Sequence, residues 1–95
     1  MVLDNRLKET IRKDIIYFLY SDNYWQSRHT PKSNICNKLS NYPCKYINKE
    51  LKRLYKDELI RFKKTNHGLD VYLNIRKKSE IENEITDKLN QLYDW

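Results

Sequence analysis

Residues 44–62 read CKYINKELKRLYKDELIRF, and with the two lysines that follow they carry eight positive charges. Cys44, Ile47, Leu51 and Leu54 recur at steps of three, four and three, and so fall within about 80° of one another on a helical wheel. Lys45, Lys49, Lys52 and Lys56 recur at steps of four, three and four, almost diametrically opposite, with Arg53 at their edge. A helix over 43–57 is expected, apolar on one side and cationic on the other. An isolated lysine stripe is ordinarily a solvated face. Whether this one is aimed at a partner depends on what flanks it.

Upstream, "SNYP" (40–43) is a break of turn residues with Tyr42 held before a proline. Before it, "TPKSNICNKLS" (30–40) predicts a short helix ending near Leu39, with Thr30 as cap and Pro31 at the first helical position. Ser21 to Thr30 has no helical period and reads as a loop, with a short strand placed near Trp25–Arg28. The first helix is predicted over 4–20, capped by Asp4 or Asn5. Its face is Leu7, Ile11, Ile15 and Phe18, while Ile16 and Tyr20 point to the opposite side. Tyr24 and Trp25 are expected at the edge of the core, as are most of the tyrosines.

Downstream, Ile60 and Phe62 alternate with Arg61 and Lys63, and Leu69, Val71, Leu73 and Ile75 alternate with Asp70, Tyr72 and Asn74. This period of two on either side of "TNHG" predicts a β-hairpin over 60–75, with Asn66 and the chain's single Gly supplying positive φ. The last segment, SEIENEITDKLNQLYDW (79–95), predicts a helix opened by a Ser79–Glu82 capping box. Its stripe is Ile81, Ile85, Leu89 and Leu92, with Trp95 nearby.

The totals fit one small domain: 95 residues, 39% apolar and 13% aromatic, enough for one modest core. One Gly and two Pro argue against a turn-rich sandwich or barrel. No apolar run spans a bilayer and the N-terminus lacks the apolar stretch of a signal peptide, so a cytoplasmic location and no membrane partner are expected. Cys36 and Cys44 then read first as reduced core thiols, with a disulfide as the alternative. His29 and His67 are expected at the surface, and neither pairs with a cysteine at finger-like spacing. There is no phosphate-binding glycine loop, no nucleophile–base spacing and no carboxylate cluster. The expectation is a protein that is not an enzyme, with no cofactor and no bound metal. The charge of +6 is uneven. Residues 1–78 hold 18 Lys and Arg against 8 Asp and Glu, whereas residues 79–95 hold Lys88 against five acids. Such a body suits a polyanion, and its acidic end does not.

The stretch LKRLYKDELIRF followed by a basic hairpin resembles the signature of the winged helix-turn-helix DNA-binding domains. Leu51 and Leu54 are its two leucines three apart, "YKDE" its charged turn, and Leu59-Ile60 its lead into the wing. The resemblance covers roughly residues 5–76, with small archaeal or phage repressor-like members as the nearest subgroup. Members often carry Gly where this chain has Glu58, so Asp57 or Glu58 is expected to bear the left-handed conformation there. The resemblance implies a mainly α fold with a small β-hairpin (α+β), here with an additional C-terminal helix. That divides the chain into a DNA-binding domain (1–78) and a C-terminal amphipathic helix (79–95).

It implies a sequence-specific double-stranded DNA-binding transcription regulator, a repressor. Lys45, Tyr46, Asn48 and Lys49 would then face bases, and Lys52, Arg53 and Lys56 phosphates. Lys63, Lys64, Asn66 and His67 would form the wing tip. A non-enzymatic winged-helix adaptor in a protein assembly and an RNA-binding winged helix remain as alternatives. No small-molecule effector is evident. Ile16, Tyr20, Ile81, Ile85, Leu89 and Leu92 are expected to join two copies into a homodimer, with packing of the C-terminal helix on its own domain as the alternative.

Overall fold

The computed structural model describes residues 5–93, with side chains through residue 90. Helix α1 (Asn5–Ser21) forms where the Leu7–Phe18 period predicts it. The proposed cap Asp4 lies outside the described residues. Ile11 and Ile15 are fully buried, but so are Ile16 and Leu19. This helix is central. It packs on α3 (Cys44–Lys56) and the sheet with one side and on α4 (Lys78–Glu84) with the other. That is why its apolar stripe is wider than one face.

After α1 the chain turns through Asn23, at φ 59, a conformation asparagine tolerates. Tyr24 and Trp25 then cover the core's edge, as the sequence suggested. The strand expected near Trp25–Arg28 is reduced to one bridge, Trp25 to Leu73. The pairing strand is β1 (Thr30–Pro31), which lies at an edge of the sheet where a proline costs no ladder bond. Thr30 is therefore not a helix cap. It is buried in the sheet, and its Oγ1 accepts from Asn34 Nδ2 at 2.8 Å. Pro31 is one position earlier than predicted, at the N-cap of α2 (Lys32–Lys38), with no side-chain cap bond.

Helix α3 begins after Pro43 and ends at Asp57. Glu58 takes the left-handed conformation, φ 66, in place of the usual glycine. Glu58 N donates to Tyr55 O at 3.0 Å and Leu59 N to Leu54 O at 3.0 Å, the paired bonds of a Schellman ending. The buried Leu54 and Leu59 supply its apolar contact. Asn74 fixes the far side. Its Nδ2 donates to Glu58 O at 2.8 Å and its backbone N to Leu59 O at 3.0 Å. Glu58→Gly should raise stability by up to about 1 kcal/mol, because the left-handed strain of a side chain disappears. The Glu58–Lys77 contact it removes is exposed and 4.0 Å long, and offsets little. Urea midpoints of the two proteins test this; a lower midpoint for the glycine variant counts against it.

Strands β2 (Ile60–Thr65) and β3 (Gly68–Leu73) form the predicted hairpin, in register Ile60 to Leu73 and Phe62 to Val71. Strand β3 is central in the antiparallel order β1-β3-β2. Gly68, at φ 127, carries the turn's positive φ, and Asn66 does not. Ile60, Val71 and Leu73 are buried. Leu69 and Ile75 are exposed instead, since one lies at the hairpin tip and the other leaves the strand for a 3-10 turn at Ile75–Lys77.

The C-terminal segment departs most from expectation. It is two short helices, α4 and α5 (Thr86–Tyr93), broken at Ile85, whose φ of −114 and ψ of 17 leave the helical region. The capping box does not form. Helix α4 begins at Lys78, so Ser79 lies inside it, and the Glu82 carboxylate accepts from Tyr20 Oη at 2.6 Å. Ile81 and Ile85 are fully buried in the same cluster as Ile16, and Leu89 packs against it. Ile81 and Ile85 are thus covered within one chain; the side chain of Leu92 lies outside the described residues. The architecture is a mixed α+β fold, helices on one face of a three-stranded antiparallel sheet. Among the described residues no helix is long and apolar enough to cross a membrane.

Candidate nucleic-acid interface

Helix α3 is seated by Ile47, Leu51 and Leu54, all without solvent exposure. On its other side Lys45, Lys49, Lys52, Arg53 and Lys56 are exposed. None of the four lysines has a carboxylate partner among the described residues. Arg53 differs: its Nη1 lies 3.6 Å from Glu50 Oε2, and Glu50 is 2% exposed. A nearly buried carboxylate holds that guanidinium close to the helix, which leaves it less free to reach outward than the lysines.

Two of the expected base-facing residues are partly occupied. Tyr46 packs against the core, and Lys45 Nζ stands 5.4 Å from its ring centroid. Asn48 is half-buried, with Nδ2 3.8 Å from Cys44 Sγ, a weak contact. Cys44 itself is joined to Cys36, with their Cα atoms 5.3 Å apart. This corrects the reading of two reduced thiols. The bond ties α2 to the first residue of α3.

The acids gather elsewhere. Arg12 of α1 binds Asp57 Oδ2 at 2.9 Å through Nη1 and Glu84 Oε1 at 2.7 Å through Nε. Burial acts to lower the Arg12 pKa, but Glu84 and Asp57 together outweigh it and raise it, so this guanidinium stays charged. Lys88 of α5 reaches Asp14 at 2.7 Å, and Lys13 reaches Asp87 at 3.4 Å. Tyr42 Oη also donates to Asp14 at 2.6 Å, and burial with that carboxylate raises the phenol's pKa. Two acids of the C-terminal segment, Glu84 and Asp87, are thus paired by α1, and the lysines of α3 have no carboxylate partner among the described residues.

At the hairpin tip Lys63, Lys64, Asn66 and His67 are all exposed. The tip is braced by Thr65, whose Oγ1 donates to Gly68 O at 3.1 Å and accepts from His67 N at 3.2 Å. Strand alternation puts Phe62 and Lys64 on the side of α3, and Arg61 and Lys63 on the outer side. Phe62 meets Tyr55 of α3 at a ring-centroid distance of 5.1 Å, so the helix and the hairpin form a continuous surface. Tyr55, 51% exposed between Lys52 and Lys56, was not singled out from sequence. Its position off the leucine stripe was the available signal.

His29 is half-buried instead of fully exposed. Its Nδ1 lies 2.6 Å from Asp70 Oδ2, and Asp70 is itself buried on the sheet. Among the described residues no three His, Cys, Asp or Glu side chains gather as a metal site. No family model, no curated protein and no solved structure matches this chain.

Proposed function

We propose that the chain is a winged-helix, sequence-specific double-stranded DNA-binding transcription regulator that represses by occupying its site. Helix α3 enters the major groove and the β2–β3 hairpin acts as the wing. The observation that carries this reading is the two-sidedness of α3. Ile47, Leu51 and Leu54 on its apolar side are fully buried, and its lysines are exposed, without carboxylate partners among the described residues, and next to a basic hairpin. A helix seated this way can dock in a groove without uncovering the core. Each phosphate neutralised releases counterions, so the lysines supply affinity. Lys45, Tyr46, Asn48 and Lys49, near the start of α3, supply the base contacts. Lys52, Arg53 and Lys56 meet phosphate, Arg53 less freely.

Binding to duplex DNA, duplex RNA and single strands across a salt series tests the class. A steep salt slope with preference for duplex DNA is expected. Lys49→Glu should lower duplex affinity by about tenfold or more while leaving the thermal melt unchanged. Wild-type affinity in that variant removes α3 from the reading. Neutralising Lys63 and Lys64 together should weaken all sequences equally and flatten the salt slope by about 1 for each lysine that reaches a phosphate. An altered base preference at unchanged affinity contradicts their role as backbone contacts. Selection from a random duplex pool reports the number of copies bound: a palindrome for two, a single half-site for one.

A further inference from the structure

The loop after α1 does not hang free. It runs alongside strand β3 and is tied to it. Leu73 N donates to Tyr24 O at 2.7 Å, Trp25 bridges to Leu73, and His29 is clasped by Asp70. Between this loop and the strands lies a cleft of about 290 Å³, at the small end of ligand sites. Gln26, Arg61, Tyr72, Asn74 and Arg76 line it. Beside it the surface continues as a shallower groove over Trp25, Ser27 and Ile75 to Lys63.

The chemistry of this place is specific. Arg61 and Arg76 open onto the same cleft, and neither has a carboxylate partner among the described residues. The main chain of Arg76 is fixed at the cleft, because its backbone N donates to Asn74 Oδ1 at 3.2 Å. Two unpaired guanidinium groups at one concavity match the oxygens of a phosphate, which each can bind in a fork. The adjoining floor offers Trp25, held edge-on against Tyr20 at 6.0 Å, and the exposed Ile75. A flat apolar platform next to a phosphate site fits a nucleobase.

We propose that this cleft binds a nucleoside phosphate, with the phosphate between Arg61 and Arg76 and the base on the Trp25–Ile75 surface. No residue of α3 lines this cleft or the adjoining groove, so the proposal stands whether or not α3 binds DNA.

The test is calorimetric titration of the whole chain with the 5′-monophosphates of adenosine, guanosine, cytidine and uridine, and with adenosine and inorganic phosphate alone. At least one monophosphate should bind, more tightly than either half-ligand. Arg61→Ala and Arg76→Ala should each weaken that binding by about tenfold or more, with the thermal melt and duplex-DNA affinity unchanged. Lys49→Glu, on α3, should leave nucleotide affinity as it is. The proposal is overturned if no monophosphate binds, or if the arginine variants bind like the wild type. It also fails if Lys49→Glu costs as much as they do, or if inorganic phosphate or adenosine alone binds as tightly as every nucleotide.

Discussion

Leu51→Ala should destabilise the fold by about 2–5 kcal/mol, the range for truncating a fully buried leucine. Leu51 sits in the middle of that helix without solvent exposure, in the cluster that includes Ile11 and Ile15 of α1. Truncation removes buried methyl groups and leaves a cavity. The surrounding residues come from both helices and the sheet, and cannot all close over it. The neighbouring Lys52→Ala, on the exposed side, should change stability by no more than about 0.5 kcal/mol. Urea unfolding of the two variants measures the contrast. A loss below about 1 kcal/mol for Leu51→Ala shows that α3 is not seated as described.

The second large effect belongs to the Cys36–Cys44 bond. It closes a loop between residues separated by 8 in sequence. In the chain-entropy account, opening a loop of that size costs about 2.5 kcal/mol through the unfolded state. Cys36→Ser with Cys44→Ser should lower stability by about that amount, and a thiol reductant should do the same to the wild type. Cys44 is exposed, so the reductant can reach it. The double variant should be insensitive to reductant. Equal unfolding midpoints for the wild type with and without reductant overturn the assignment.

The elements with strong periods were legible before any coordinates. The Leu7–Phe18 stripe, the Ile47–Leu54 stripe and the alternation through Ile60 and Val71 each became the element they predicted. Even the strained residue was narrowed to two, of which Glu58 is the one. What sequence reasoning lost was partnership across distance. A stripe such as Ile81 and Ile85 announces that it needs cover, not whose. Here α1 supplies it, and Arg12, Lys13 and Asp14 supply the countercharges. The disulfide was hidden by an argument about compartment, which says nothing of whether two sulfurs lie within bonding reach. Thr30 and Ser79 carry cap chemistry but were claimed by a strand and by a helix that starts earlier. The candidate site fared similarly. Its cations stand exposed, but the restraint on Arg53 by Glu50 comes from burial, which no spacing reveals.

Helix α3 is held at both ends. A covalent bond fixes Cys44 at its start, and at its finish the Arg12–Asp57 pair and the bonds from Asn74 hold the turn. A macromolecule that docks on the cationic face therefore meets a segment that is already ordered. No folding of α3 accompanies association, so the heat-capacity change of binding should reflect contact area alone. A helix that cannot re-pose also discriminates by fit, rejecting ill-matched surfaces instead of remodelling toward them.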